Sequence, residues 1–77
     1  MRLIEMAPDE FCTVKEIKLE TLIQRRLEAL GMTVGAKIQI MRKKRNGALI
    51  MKLRGTRFAL GKEIAEGIIV EREDVQC

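Results

Sequence analysis

Residues 21–35, TLIQRRLEALGMTVG, constrain the fold of this chain more than any other stretch, because they predict one helix with a defined start, stop and turn. Thr21 is the predicted N-cap, and Gln24 is expected to complete a capping box by reaching back to the cap backbone. Apolar residues then recur at helical spacing and predict the face that packs on a core. These residues are Leu22, Ile23, Leu27 and Leu30.

The end of this helix is predicted at Gly31. The residue after a C-cap often adopts a left-handed conformation, which glycine reaches without a steric cost. Met32 then takes the position at which a Schellman motif makes an apolar contact with Leu27. Val34 and Gly35 suit the two central positions of a type II turn, so a strand is expected to follow.

Two arginines of the helix allow two interpretations. At about 100° per residue, Arg26 falls between Leu22 and Leu30, and Arg25 lies at the edge of the same face. The first interpretation is structural: the aliphatic stem of Arg26 covers the core and its guanidinium pairs with a carboxylate. The second is that Arg26 is a recognition residue for a partner.

Strand patterns precede and follow the helix. Residues 10–18 predict a first strand in which Val14 and Ile17 both face inward. Their odd spacing requires an extra residue, so a β-bulge is expected near Lys15. Residues 62–66 predict a single helical turn, and Gly67 precedes a last strand over residues 68–71.

Two hairpins are predicted between these elements. Asn46-Gly47 is a dipeptide that type I′ turns prefer, and a second tight turn is expected at Gly55-Thr56. Together these turns fix a register that keeps one face apolar through three strands. The predicted cross-strand pairs are Ile40 with Leu53, Arg42 with Met51, Leu53 with Phe58, and Met51 with Leu60.

About five short strands and one helix predict a mainly β fold, and a small SH3-like β-barrel fits this pattern best. The chain has 77 residues, so we expect a single domain over residues 1–77, with its core in residues 3–71 and a frayed tail at residues 72–77. Leu27, Gly31, Gly35, Gly47 and Gly55 are assigned structural roles.

Composition narrows the classes of function. No apolar run is long enough to span a membrane and no signal peptide is evident, so a cytoplasmic protein is expected. The net charge of +4 permits an anionic partner. Aromatic residues are only 3%, with no Trp or Tyr, which makes nucleic acid an unlikely partner because single strands stack on aromatic rings.

Catalytic and metal-binding residues are not predicted. The chain has no histidine, and its two cysteines, Cys12 and Cys77, are far apart in sequence. We therefore expect no enzyme activity, no cofactor and no tight metal site within one chain. Cys12 is expected to fill the core, although metal bridging between copies through Cys12 or Cys77, and hence a homo-oligomer, is kept as an alternative.

The motifs of the chain resemble those of the FeoA family over residues 3–71. The most specific match is RRLEALGMTVG at residues 25–35, and Leu53-Arg54-Gly55 and Phe58-Ala59-Leu60 add to it. The resemblance implies a small cytosolic SH3-like module of the ferrous iron uptake system. It also implies action on FeoB, a large membrane transporter with a cytosolic G-protein domain, and it carries no catalytic or metal residues.

Some positions depart from the family pattern. The hairpin loop is shortened, glycines and a turn proline are replaced, and a polar or basic residue is replaced by glycine. The residues concerned are Asp9 and Cys12 at the usual glycines, Val34 at the proline, Gly61, and residues 44–47. These departures affect the expected partner surface more than the fold.

Three functions are compatible with the residues and the resemblance. A non-enzymatic accessory and regulatory module that docks on the cytosolic part of a FeoB-type transporter comes first. A detached barrel related to iron-dependent repressors comes second, although such a repressor would need an upstream helix-turn-helix for which this chain has no room. A basic, nucleic-acid-associated barrel comes third.

The partner-binding surface is predicted at the tip of the first hairpin. Met41 and Ile50 are expected to point away from the core and to anchor docking. The basic residues that follow Met41 are expected to set its rate and orientation, with Arg25 as a further contact. They are Arg42, Lys43, Lys44 and Arg45. An anionic membrane surface at the inner face of the cell membrane is an alternative contact for this cluster.

Overall fold

The computed structural model describes residues 1–73, and its strands form one antiparallel sheet in the order β4-β3-β2-β1-β5. The strands are β1 (Phe11–Ile17), β2 (Lys37–Lys43), β3 (Leu49–Leu53), β4 (Thr56–Leu60) and β5 (Ile68–Arg72). Helix α1 (Thr21–Ala29) joins β1 to β2, helix α2 (Lys62–Glu66) joins β4 to β5, and a 3₁₀ turn (Leu3–Glu5) opens the chain. The mainly β fold with five strands and one main helix is confirmed.

The predicted β-bulge in β1 is confirmed. The pairing of β1 with β5 shifts register between Val14 and Glu16, which leaves Lys15 as the extra residue. Val14 is fully buried, and Ile17 is partly buried against the same core. The bulge therefore bends β1 and lets both apolar residues face inward despite their odd spacing.

The first hairpin differs from its prediction in both turn and register. Lys44 N–H donates to Ala48 O at 2.8 Å and Gly47 N–H donates to Lys44 O at 3.0 Å, so the loop has three residues. Only Gly47 (φ 91°) takes the left-handed conformation there, whereas a type I′ turn needs it at both central residues. The predicted partners of Ile40 and Arg42 are wrong, because Ile40 lies opposite Met51 and Arg42 opposite Ile50.

The type I′ turn lies instead in the second hairpin. Arg54 (φ 52°) and Gly55 (φ 83°) are both left-handed, and Leu53 lies directly opposite Thr56. The predicted turn at Gly55-Thr56 is therefore one residue too late, and the pairs predicted for Leu53 and Met51 are wrong by two residues. Because side chains alternate with period two, that even offset still leaves the same residues facing the core.

Thr21 is already the first helical residue of α1, so the prediction that Thr21 is the N-cap is wrong. Glu20 takes the N-cap position and makes no side-chain capping bond. Gln24 is used differently from a capping box: its Nε2 donates to Ile17 O at 3.0 Å and to Leu19 O at 2.8 Å. These two bonds hold the start of α1 against the end of β1 and the loop that follows it.

The end of α1 follows the prediction. Gly31 has φ 94°, Gly31 N–H donates to Glu28 O and Met32 N–H donates to Leu27 O, both at 2.9 Å. This is the hydrogen-bond pattern of a Schellman motif, which is confirmed. The type II turn is confirmed as well, since Ala36 N–H donates to the carbonyl of residue 33 at 3.0 Å and Gly35 has φ 93°.

The predicted apolar face of α1 is only half correct. Leu27 is buried and Ile23 is partly buried against the core, but Leu22 and Leu30 are 68% and 56% exposed. Residues four apart form one stripe along a helix, and the sheet covers only the stripe of Ile23 and Leu27. Arg26 shares the outer stripe; it is exposed and makes no ion pair within residues 1–73, so its predicted place over the core is wrong.

One apolar core holds the sheet, α1 and the 3₁₀ turn together. The last strand contributes Ile68 and Val70, which are buried as predicted, and α2 contributes Ala65. The remaining buried side chains come from the other elements and loops: Leu3, Met6, Cys12, Val14, Leu27, Met32, Ala36, Ile38, Ile40, Leu49, Met51, Leu53 and Leu60. The frayed tail predicted for residues 72–77 is wrong at its first two residues, because Arg72 lies in β5 and Glu73 N–H donates to Phe11 O at 2.9 Å. The rest of that segment, with Cys77, lies outside the described residues.

Candidate interaction surface

The structure brings most of the predicted partner-binding residues to one end of β2 and β3. Arg42 lies directly opposite Ile50, and Met41 is the extra residue where the pairing shifts register. Met41 and Ile50 are both half-buried, while Arg42 is exposed. The predicted apolar anchors therefore lie beside a cation on adjacent strands, although not in the register that the sequence predicts.

The shift at Met41 changes the direction of Lys43. Lys43 is paired with the buried Leu49, so it lies on the core side of the sheet, where its Nζ donates to Ile4 O at 2.8 Å. Lys44 and Arg45 occupy the turn, are exposed, and have no carboxylate within ion-pair distance among the described residues. Of the four predicted tip cations, Arg42, Lys44 and Arg45 therefore have no ion-pair partner within residues 1–73, and Lys43 is hydrogen-bonded to Ile4 O.

Arg25 does not belong to this cluster. It is exposed on α1, which joins the end of β1 to the start of β2. The hairpin tip lies at the other end of β2, seven residues or about 20 Å along the strand. The structure therefore separates Arg25 from the tip, and the two belong to opposite ends of the sheet.

The positive charge of this surface follows from a charge pattern that the sequence analysis missed. Between Glu28 and Glu63 the chain contains nine Lys or Arg residues and no Asp or Glu. This stretch forms β2, β3 and β4, which are neighbours in the sheet. One half of the sheet is therefore cationic and has no acidic residue of its own. The sequence already shows this half as a long stretch without Asp or Glu.

A groove of about 280 Å³ crosses the outer side of this region. Phe11, Gln39 and Lys52 lie side by side on β1, β2 and β3, as the register of the two strand pairs shows. Phe11 is 37% exposed, so its ring adds apolar surface to a groove that charged residues border. The groove is lined by Phe11, Lys37, Ile38, Gln39, Lys52, Arg54, Gly55 and Glu73.

The two ends of the groove differ in charge. At the β1 end, Glu73 accepts a hydrogen bond from Thr13 Oγ1 at 3.0 Å and lies 3.9 Å from Lys37 Nζ. At the β3 end, Lys52 and Arg54 are exposed and have no ion-pair partner within residues 1–73. An anionic group would therefore find two uncompensated cations at that end.

Cys12 has no access to this surface. It is fully buried, and burial together with the carboxylates of Glu73 and Glu10 raises the pKa of its thiol to about 11. Metal bridging between copies through Cys12 would therefore require its side chain to become exposed and to lose a proton, because thiolate ligands must be deprotonated and reachable. Within residues 1–73 no cluster of three or more Cys, Asp or Glu residues is placed to hold a metal ion.

This arrangement, a small curled β-sheet with a helix packed on its core and a charged outer face, defines the class of small SH3-like domains. The family model of the FeoA domain matches residues 1–72 of the chain. The chain therefore belongs to the FeoA family of ferrous iron transport. The putative Fe(2+) transport protein A of Methanocaldococcus jannaschii is 33% identical over 58 residues, which cover 75% of this chain and 70% of that protein.

Solved structures agree with this assignment. The crystal structure of an iron uptake regulatory protein (FeoA) is 32% identical, with a TM-score of 0.87 over 95% of this chain and 97% of that one. FeoA from Stenotrophomonas maltophilia, an SH3 domain protein crystallised with zinc, is 29% identical, with a TM-score of 0.78 over 92% and 89% of the two chains. The predicted SH3-like fold is thereby confirmed.

The second predicted relationship, to metal-dependent repressors, holds at the level of fold. A manganese-dependent transcriptional repressor is 16% identical, with a TM-score of 0.80, and the match covers 88% of this chain and 39% of the repressor. At that identity the likeness shows a shared fold alone.

None of the helices within residues 1–73 has the length and hydropathy of a membrane-spanning segment.

Proposed function

We propose that this protein is a non-enzymatic accessory and regulatory module of ferrous iron uptake, which docks on the cytosolic part of a FeoB-type transporter. The observation that carries the proposal is the cationic half of the sheet, β2 to β4, in a member of the FeoA family. A surface of one sign steers an acidic partner surface toward it and raises the rate of association. Iron handling by this module is then indirect.

The hairpin tip is the proposed docking site. Ile50 and Met41 are half-buried apolar side chains that a partner can cover, and Arg42 lies directly beside Ile50. Anchors of this kind carry most of the binding energy of an interface, while charges at its rim act mainly on the association rate. Because Lys43 Nζ is engaged with Ile4 O, Lys44 and Arg45 supply the steering charge.

The same cations support a second contact. Each Lys or Arg near an anionic membrane surface contributes about 1 kcal/mol to binding. A module that works beside a membrane transporter gains from this attraction, so we include peripheral association with the inner face of the membrane in the proposal. Its expected signature is binding to anionic vesicles that weakens as salt is added.

A pull-down with the cytosolic part of the transporter, with and without guanine nucleotide, tests the proposal. Ile50→Asp should weaken the complex mainly through faster dissociation, and Lys44→Glu with Arg45→Glu should slow association. Lys15→Glu with Lys18→Glu reverses two exposed cations outside the cationic half of the sheet and is the charge-matched control. Circular dichroism first confirms that each variant is folded.

Two results would contradict the proposal. If Ile50→Asp and the tip double variant bind the transporter as the parent does, the interface does not include the hairpin tip. If the parent itself captures no transporter in either nucleotide state, the docking function is refuted.

A further inference from the structure

We propose that the groove over β1, β2 and β3 binds an acidic peptide segment. A carboxylate of the segment would lie on Lys52 and Arg54, and an apolar side chain two residues away on the same side would cover Phe11. These residues are separate from the hairpin tip, so the groove is a second site. The inference rests on the proposed function for the existence of a protein partner, and it adds the chemistry of the segment that this partner presents.

Charge is the first argument. Lys52 and Arg54 have no carboxylate within ion-pair distance in residues 1–73, and the stretch between Glu28 and Glu63 supplies none. Lys37 differs, because Glu73 lies 3.9 Å from its Nζ. An incoming carboxylate would therefore be drawn to the β3 end of the groove rather than to the β1 end.

The exposed aromatic ring is the second argument. Phe11 is next to Gln39, which is next to Lys52, so an apolar surface and a cation lie two strands apart, or about 10 Å. Residues two apart in an extended peptide face the same side and lie about 7 Å from each other, and long side chains on both partners reach across the remaining distance. A segment with an acidic residue and an apolar residue close together in sequence matches both features at once.

The open shape of the groove favours a peptide over a small metabolite. Its volume is about 280 Å³, and its lining comes mainly from three neighbouring strands and the turn after β3. Pockets for small molecules generally bury most of the ligand. A shallow groove that crosses three strands can hold side chains of a segment while the rest of its backbone stays in solvent.

The third argument is that two features of this site destabilise the fold. Arg54 has φ 52°, a conformation in which Asn or Gly is favoured at this position of a type I′ turn. Lys52 lies directly opposite Arg57, and like charges in that position destabilise a sheet. Residues that work against the fold cluster at functional sites, and here both border the same groove.

Fluorescence anisotropy with a labelled synthetic peptide of Glu-Glu-Leu-Leu repeats tests the proposal on the full chain, because residues two apart in an extended peptide face the same side. Arg54→Asn should weaken binding by about fivefold or more, as expected for the loss of a charge-assisted contact. The same change should raise the thermal midpoint, because Asn tolerates the left-handed conformation. Lys18→Asn removes an equal charge from an exposed loop outside the groove and is the control.

A second variant separates the apolar contact from the charge. Phe11→Thr should weaken binding of the glutamate–leucine peptide and leave binding of oligoglutamate unchanged. Chemical-shift changes at the amides of Phe11, Gln39 and Gly55 on peptide addition would place the ligand in the groove.

Several results would overturn the proposal: no peptide binding at low ionic strength, equal losses in Arg54→Asn and Lys18→Asn, or binding of phosphatidylglycerol vesicles or duplex DNA without binding of the peptide. The peptide assay contains no transporter, so its outcome is independent of the pull-down. Peptide binding without capture of the transporter would support the groove as a peptide site and refute the proposed function. Capture of the transporter without peptide binding would support the proposed function and refute the peptide site.

Discussion

Replacing Gly31 by valine should destabilise the protein by more than about 1 kcal/mol, through the backbone rather than through packing. Gly31 has φ 94°, and a Cβ added there would lie 3.7 Å from Leu53 Cδ2, which is an ordinary contact. A residue other than glycine costs about 1–2 kcal/mol in the left-handed region. The alternative for the chain is to lose the hydrogen bonds to Glu28 O and Leu27 O, at about 1 kcal/mol each.

Urea denaturation followed by circular dichroism measures this cost. With a slope of about 1 kcal/mol per molar urea for a small domain, the midpoint should fall by about 1 M. Gly31→Asn should lose less, because Asn accepts positive φ more readily than valine. An unchanged midpoint for Gly31→Val, or an equal loss for Gly31→Asn, would refute the assignment of a Schellman motif as the stabilising feature.

Gly67→Ala provides a contrast with a different cause. Gly67 ends α2 with φ −94°, which other residues adopt freely. A Cβ added there would collide with the side chain of Leu19 and lie 2.9 Å from Lys18 O. Its cost should therefore fall when Leu19 is shortened in the same protein, whereas the cost of Gly31→Val should not change.

Four further predictions concern stability. Leu27→Ala should cost about 2–5 kcal/mol because Leu27 is only 3% exposed, and calorimetry should show a strongly lowered thermal midpoint or an unfolded chain. Val34→Pro should stabilise by about 0.4–1 kcal/mol, since Val34 is exposed at the first central position of a type II turn; a lowered midpoint would contradict this. Lys52→Glu should stabilise by about 0.2–1 kcal/mol in low salt, because it gives Arg57 an opposite charge as its cross-strand neighbour, and added salt should remove the gain. The raised pKa of Cys12, about 11 against a usual value near 9, favours the folded state only when the thiol is protonated. Stability from this group should therefore be constant below pH 9 and decrease by about 2–3 kcal/mol toward pH 11, a loss absent from Cys12→Ala.

Local chemistry made several features predictable from the sequence. Gly31 stops α1 because the left-handed conformation is a property of that residue and its neighbours along the chain. The bulge at Lys15 follows from the spacing of Val14 and Ile17. The number of strands follows from alternation and turn residues. Each of these decisions depends on interactions between residues close in sequence.

The candidate site was predictable only in part. The basic tip and its apolar neighbours, Met41 and Ile50, are close in sequence, so their proximity follows from the hairpin itself. The groove could not be found in this way. Phe11 comes from β1, Lys52 and Arg54 from β3, and they meet only because β2 lies between these strands in the sheet.

Sequence alone determined that this chain forms a small β-sheet with a helix stopped at Gly31, because period and turn propensity act locally. Tertiary structure decided which turn took the type I′ conformation and which stripe of α1 was covered. Asn46-Gly47 has the stronger local preference, yet Arg54-Gly55 adopts that turn. Burial of the core across three strands fixes the register, and the free energy of that burial exceeds the preference of a single dipeptide.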